Sequence, residues 1–492
     1  MKHILYIVVF FMLITTSAHA QKEASWWYFG YYAGLNFTQT QNIGGLTDIP
    51  TFTKGPIYTH EGCFSISDKK GNFLMASDGS TVYGKDLLPM PNGTGLLGNS
   101  SATQSGIVIP RPGNKNQFYV VSVGETTNRT GIHYSIVDMT LNNGNGDVIS
   151  KNIPINLGGL YPRTDAYENI AAVGHENGRD FWLISKSRGH FFSWAVTSTG
   201  IGPNPTSTKA VGADPGTTIH TQGVIKVAPD GKYISHIHYA RAILSNAQFN
   251  PATGVFPVVG QRNFGSQYNS MYSVEFSPSG AYIYLTPIYT AGAWRIPRAT
   301  WTTAPLQSLG ANITNLQIGP DNKLYGVQDY SGASGNQNRT LFVIPDPDGA
   351  GTVVPLNNFF PGGMINGTPD AGLPTFPVGF FTMDDLVVDL PVVCVGALGT
   401  YSVNMEQGSG LNRRELVTWD FGDGSPLIYD TDWTEETHKQ KHIYYKAGKH
   451  VLTLSFYKDA AGTQLINTYE FDVDVKSCHI PVNPNVRATM VK

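Results

Sequence analysis

The sequence predicts an all-β protein: a β-propeller of roughly seven blades followed by a small β-sandwich. Three observations predict it. A strand–turn–strand unit recurs through the first three-quarters of the chain. No long stretch carries the 3.6-residue period of a helix. Around Asp384 to Asp389 the repeating pattern gives way to a unit of different character.

The clearest copy of the repeat is Tyr272 to Leu285, YSVEFSPSGAYIYL. Tyr272, Val274 and Phe276 alternate with smaller or polar residues, the period-two pattern of a strand. Ser277-Pro278-Ser279-Gly280 fits a type I turn, with proline pre-setting φ and glycine closing the turn. Ala281 to Leu285 then returns as an aromatic and β-branched run.

From the N-terminus, Lys2 and His3 precede an apolar run, Ile4 to Ile14, and Ala18-His19-Ala20 has the small-x-small form of a signal-peptidase site. Residues 1–20 therefore read as a secretory signal cleaved before Gln21. The run is shorter than the ~20 residues that span a bilayer as a helix. An exported protein with no membrane span is expected. Of 492 residues only 14% are charged, against ~25% in ordinary globular domains, and the net charge is −3. No basic footprint is available, so a nucleic-acid partner is not expected. Aromatics at 12% suit extensive sheet-on-sheet packing.

Residues 21–384 are assigned to the propeller. Gly71, Gly113, Gly178, Gly231, Gly280 and Asn322 each close a hairpin of the Tyr272–Leu285 kind, spaced roughly 40–65 residues apart. That drifting period is close to the ~40–50 residues of a blade. Six markers give six units. WWYFGYYAGLNF (Trp26 to Phe37) and GLPTFPVGFF (Gly372 to Phe381) lack a full hairpin, and are read as two halves of a seventh blade that joins to close the ring. Closure would remove exposed strand edges.

Residues 385–477 are assigned to the sandwich, near the size of a small β-sandwich domain. Val417, Trp419 and Phe421 share one strand face, and Gly422-Asp423-Gly424 makes a tight turn. A strand is expected over His442 to Phe456, with His450, Leu452, Leu454 and Phe456 pointing one way. Residues 478–492 are a tail with two prolines and no periodicity.

Two resemblances attach to these residues. Trp419, Asp420, Phe421, Gly422, Asp423 and Gly424, followed by His442-x-Tyr444, Gly448 and an alternating strand, resemble the polycystic-kidney-disease (PKD) domain. The resemblance implies an immunoglobulin-like β-sandwich. It places Trp419 and Phe421 in the core, Asp423 and Gly424 in the turn, and Tyr444 and Gly448 at the start of the penultimate strand. His450 stands where that family usually has an aromatic. The runs WYFG, EGCFSISD, Pro91 to Ser105 and NGRDFW are similar to those of exported Gram-negative bacterial proteins with a propeller-like domain before one or more PKD domains. That implies a cell-surface, outer-membrane-associated, secreted or periplasmic setting.

Several residue types suggest chemistry. His236 and His238, two apart on one strand face, with His220 nearby, are candidate metal ligands; the alternative is a pair of strand histidines bonded to neighbouring blades. ASDGSTVY (Ala76 to Tyr83) faintly resembles the Asp-box of sialidase propellers, a structural turn in that family. Glu61, Asp78, Asp165, Glu168 and Glu275 are carboxylates with no recognisable pairing, and a glycosidase needs a pair at set separation. Trp26, Trp27, Tyr28, Tyr31 and Tyr32 are either a sugar-stacking platform or core. Trp294 and Arg295 are ligand-binding candidates, with core packing the alternative. Asp420, Asp423 and Asp430 suggest calcium, but a hairpin turn and solvated loop account for them as well.

There are three cysteines. Cys394 and Cys478 bracket the sandwich, and a disulfide joins them if its terminal strands lie side by side, within the ~4.4–6.8 Å of Cα separation it needs. Cys63 reads as a buried small hydrophobe.

The function expected is that of an interaction protein at the cell surface or outside the cell. It binds a glycan or protein through the propeller's loop face, with the sandwich as spacer or second binding module. No cofactor is expected. The rival classes are a carbohydrate-active hydrolase or lyase with its site in the propeller cleft, and a structural component of a surface assembly.

Overall fold

The computed structural model describes residues 22–477 apart from 69, 126, 213–221, 329–338, 362–366, 379–386, 390–392, 405–414, 432–436 and 458. The expected signal segment 1–20, His220, Cys478 and the tail 478–492 lie outside the described residues. Among the described residues, regular structure is strand, with five single-turn 3-10 helices. No described helix is long and apolar enough to cross a membrane.

Before residue 380 the described residues form seven sheets. The first holds Trp26–Phe29, Tyr31–Ile43 and Leu46–Tyr58. The others begin at Cys63–Ser67, Gly106–Pro110, Ala171–Gly174, Ile225–Val227, Met271–Phe276 and Asn315–Ile318, and each continues outward by antiparallel neighbours. Their first strands touch one another in sequence order. The seventh sheet returns to the first: Tyr325 stands edge-on to Trp27, ring centroids 6.0 Å apart, and both belong to one buried cluster with Phe29, Leu35, Val343 and Phe360. This is a β-propeller.

All six turn markers lie between the first and second strands of successive sheets. Gly71, Gly178, Gly231 and Gly280 donate their N–H to the residue three before, at 2.8–3.0 Å, with φ between +67° and +85°. Asn322 makes the same bond at φ +62°. This left-handed backbone is what glycine, and next asparagine, tolerates.

The first sheet is the irregular one. Trp26, at the start of its inner strand, donates Nε1–H to the carbonyl of Gly71 in the far turn of the second sheet. Tyr31, just past that strand's end, bonds His60, which precedes the second sheet's first strand. The inner strand of the first sheet thus runs opposite to its neighbour.

The seventh-blade expectation needs correction. Trp26–Phe29 pairs with Tyr31–Ile43, and that strand pairs with Leu46–Tyr58, a run of 13 residues that completes the sheet locally. The late segment goes elsewhere: Pro374–Thr375 pairs in parallel with Cys63–Phe64 of the second sheet. It still lies near the N-terminal run, with Phe376 and Trp27 rings 6.0 Å apart.

That late segment threads the hub of the propeller. Gly367 and Thr368 bond Tyr31, Ala371 donates to the carbonyl of His60, and the Asn315 side chain donates to the carbonyl of Ala371. Ala371 packs with Tyr272 and Ile288 of the sixth sheet. Val378 exchanges two backbone bonds of 2.9 Å with Ala172 and Gly174. Residues 367–375 are buried without a break. Buried backbone must be hydrogen-bonded, and the composition eases that: Pro369, Pro374 and Pro377 have no N–H to satisfy. Gly372 lies so close to the carbonyl of Glu61 that a Cβ would sit 1.4 Å from it.

Beyond residue 386, two sheets share one core. Val387–Asp389, Leu398–Asn404 and Thr437–Ile443 form one; Val393–Cys394, Leu465–Lys476, Gly448–Tyr457, Leu416–Asp420 and Ile428–Asp430 form the other. Tyr401 and Val403 from the first meet Trp419, Leu452, Leu454, Phe456 and Val473 from the second. The single strand expected over His442 to Phe456 is two strands in different sheets. The chain breaks between Ile443 and Gly448, whose φ is +132°, and the Tyr444 hydroxyl pins the crossing to the carbonyl of Phe421.

Candidate functional site: the loop face around the hub

The residues just before the first strands, and those joining second to third strands, gather at one end of the propeller. At its centre four side chains from different sheets and loops form a buried chain. Tyr272 donates its hydroxyl to Glu61 Oε2 at 2.8 Å, and the Thr103 side chain lies beside that hydroxyl. Thr103 donates Oγ1–H and its backbone N–H to Glu168 Oε2, at 3.2 and 3.1 Å. Gln104 beside it bridges two inner strands, accepting from the Ile225 N–H at 2.8 Å and donating to the Ile170 carbonyl at 3.1 Å.

Burial pushes the Glu61 carboxyl up to about 8, with the charge of Glu168 as the next cause. At neutral pH Glu61 therefore holds its proton. Glu61 and Glu168 are 7% and 1% exposed, and the segment around Asp370 to Gly372 closes over Glu61.

Around this closed centre stands an open aromatic rim. Tyr31 bonds His60 Nδ1 at 2.8 Å, and the same nitrogen lies 3.2 Å from Asp370. The Tyr58 ring sits 5.0 Å from that of Tyr31 and 5.6 Å from that of Tyr32, with His60 edge-on to Tyr31. Tyr32 and Tyr58 are 37% and 43% exposed. On the sixth sheet's side Tyr289 is 65% exposed, and Tyr239 stands edge-on to Tyr272. Tyr32 and Tyr289 both have φ +62°. A left-handed tyrosine costs roughly 1–2 kcal/mol, and such strain concentrates where a side chain must be aimed.

Further out, Arg188 pairs with Asp165 at 2.6 Å and lies over the Tyr161 ring. Arg163 approaches His133 Nε2 at 2.6 Å, and burial with that guanidinium pushes His133 down to about 4.

The other sequence candidates fall as follows. His236 and His238 share one strand face, rings 6.4 Å apart, both buried. His238 Nδ1 is engaged by the Tyr239 carbonyl at 2.7 Å. Burial drives His236 well below the ordinary imidazole value. Among the described residues no three His, Cys, Asp or Glu gather as a metal site. Arg295 is 4% exposed and donates to Gln307 and to the Gly349 carbonyl, stacking over Tyr282. It ties the sixth sheet to the seventh, as core packing would have it; half-buried Trp294 packs edge-on to Tyr268. Asp78 caps its own turn through Ser80 and Thr81. Glu275 pairs with Lys226 at 3.0 Å. Trp27 and Tyr28 are core, Tyr31 is buried, Trp26 is half-buried and Tyr32 is exposed.

In the C-terminal part, Trp419 and Phe421 are core, and Asp420 accepts from the N–H of Gly422. Asp423 and Asp430 pair with His442 and His438 at 2.8 and 2.9 Å. Gly422 and Gly424 take φ +68° and +85°. Cys394 is disulfide-bonded and pairs with Lys476 across parallel strands. Cys63 is free and buried.

Sequence reasoning missed the meeting of Glu61, Glu168 and Tyr272. The signal was positional. Each stands within three residues of the start of an inner strand, and the inner-strand starts of the second to seventh sheets converge at the hub.

No protein-family model and no curated relative matches this chain. Among solved structures it is similar to a Bacteroides uniformis protein named as a candidate 6-phosphogluconolactonase (12% identity, TM-score 0.43, 70% of this chain and 98% of that one). It is also similar to a periplasmic gluconolactonase of Pseudomonas aeruginosa (12%, 0.35, 81% and 92%). A third is the extracellular domain of a one-component system from Bacteroides thetaiotaomicron (13%, 0.34, 92% and 54%). Likeness this distant says nothing of activity.

Proposed function

We propose that this chain is an exported cell-surface or secreted interaction protein. Its propeller, counted as seven blades with the irregular first sheet as one, binds a glycan or protein partner with the tyrosine-lined loop face. The two-sheet unit from residue 385 is a PKD-like, immunoglobulin-fold sandwich serving as spacer or second binding module. Residues 1–20 direct export, and Cys394 bonds Cys478.

One observation carries the reading: the rim of Tyr32, Tyr58, His60 and Tyr289 is open while the carboxyl pair behind it is sealed. Exposed aromatic faces with hydrogen-bonding tips suit recognition of sugar rings and protein side chains alike. The test is a glycan array followed by titration of each hit against the full chain and the Tyr32→Ala/Tyr58→Ala double variant. At least a tenfold loss in the variant is expected. Equal affinity in both would remove the rim from recognition.

A second reading, a carbohydrate-active hydrolase or lyase, is favoured by Glu61 alone, a protonated carboxyl beside a second carboxylate. It requires the hub to open. Release of products from a polysaccharide panel, abolished by Glu61→Gln, would establish it; no turnover retires it.

A further inference from the structure

The opposite end of the propeller, away from the rim, carries an open groove of about 920 Å³ across the turns of the fourth, fifth and sixth sheets. That volume lies within the range of small-molecule sites. Of its aromatic lining residues, Phe249 is buried, and Tyr233 and Trp301, each half-buried, form its walls. The tryptophan is held on both sides of its position. Arg262 donates Nη1 to the carbonyls of Trp301 and Ala304, at 2.6 and 2.7 Å. Gly260 leaves the indole its seat on the fifth sheet, because a Cβ there would meet the ring at 3.3 Å.

The charges in the groove balance. Arg298 lies over Tyr233, 5.3 Å from the ring centroid, and its Nη1 is bonded to Asp230 at 2.8 Å. Lys232 and Glu176 supply one further charge of each sign. A free anion meets no unpaired cluster of cations here, and a cation meets no cluster of carboxylates. What the lining offers is a fixed aromatic wall, an ion pair with outward donors and acceptors, and exposed polar side chains such as Gln248. An uncharged molecule with an apolar face and a rim of hydroxyls matches that chemistry, which is the description of a pyranose ring.

We propose that this groove is a binding site for a neutral pyranose oligosaccharide, independent of the loop face. The full chain is titrated with cellohexaose, xylohexaose, maltohexaose and mannohexaose, following tryptophan fluorescence and heat. At least one binds with a Kd in the millimolar range or tighter. Trp301→Ala weakens it tenfold or more. Because Trp301→Ala also removes packing, Lys232→Ala and Gln248→Ala are measured beside it. Both residues are exposed, so melting is unchanged, and together they weaken binding at least threefold. The Tyr32→Ala/Tyr58→Ala variant binds as the parent does. The proposal is overturned if none of the four sugars binds at about 10 mM, beyond the weak end of specific recognition. It is equally overturned if groove variants bind normally, or if only the rim variant loses binding, which would place the sugar on the loop face.

Discussion

Replacing Gly372 with alanine tests whether the hub segment is seated as described. The added Cβ would lie 1.4 Å from the Glu61 carbonyl oxygen and 2.3 Å from its carbon. Both are backbone atoms, so no rotamer change relieves the clash, and the segment must lift off the second sheet. Lifting loses the Ala371 bond to His60, the Asn315 bond to Ala371 and the Pro374–Thr375 pairing. At about 1 kcal/mol per bond this amounts to about 3 kcal/mol. Exposing Leu373, now buried, adds about 2 kcal/mol. Partial relaxation should leave a cost of about 3–5 kcal/mol. Urea unfolding at constant m-value reads it, and limited proteolysis should open a new cut between Thr368 and Val378. A comparison with Gly95→Ala separates sterics from conformation. Gly95 has φ +73° with nothing near its Cβ position, so that change costs only about 1 kcal/mol. A Gly372→Ala protein within about 0.5 kcal/mol of the parent, with the same cleavage pattern, refutes the seating.

Other expectations follow from single side chains. The folded protein holds Glu61 protonated up to about pH 8 whereas the unfolded chain releases that proton near 4.5. The contribution to stability is therefore complete below pH 4.5 and lost as pH rises through 8. A decline of a few kcal/mol across that window is expected, flattened in Glu61→Gln and measured by denaturant titration at several pH values. Arg295→Met removes the bonds to the Gln307 side chain and the Gly349 carbonyl, both at exposed residues that can turn to water, and should cost about 1–2 kcal/mol by the same assay. Tyr289→Gly relieves a left-handed tyrosine and should raise stability by about 0.5–1 kcal/mol. Peptide mapping without reductant should recover Cys394 linked to Cys478, with Cys63 alkylated only after unfolding.

Much of the architecture is legible in the sequence because it is written locally. Hairpin turns need a left-handed residue at one position, and six such residues, Gly71 to Asn322, mark six of the seven sheets. The first sheet escapes that pattern because its inner strand runs the other way and turns at Gly30, leaving no marker of the repeating type. The hub segment reads as strand-like, but its local pattern points to the wrong partner. Nothing local distinguishes Cys63–Phe64 from Trp26–Phe37 as a neighbour for Pro374–Thr375, since all are apolar and extended. The site is the least legible part. Glu61, Glu168 and Tyr272 are far apart in sequence, and their juxtaposition depends on ring closure. Arg295 looks available for binding because a loop precedes it; its burial comes from the seventh sheet's loop at Pro347 to Gly349, which no local pattern announces.

The path of the chain past Gly367 has a mechanical consequence. Tension applied beyond Val378 reaches the propeller along its central bore instead of peeling an outer strand. The load falls in shear on the pairing with Cys63–Phe64 and on the two bonds to Ala172 and Gly174, which must break together instead of unzipping one at a time. A protein tethered through its C-terminal part would thus hold its ring closed under pull, failing at high force and all at once.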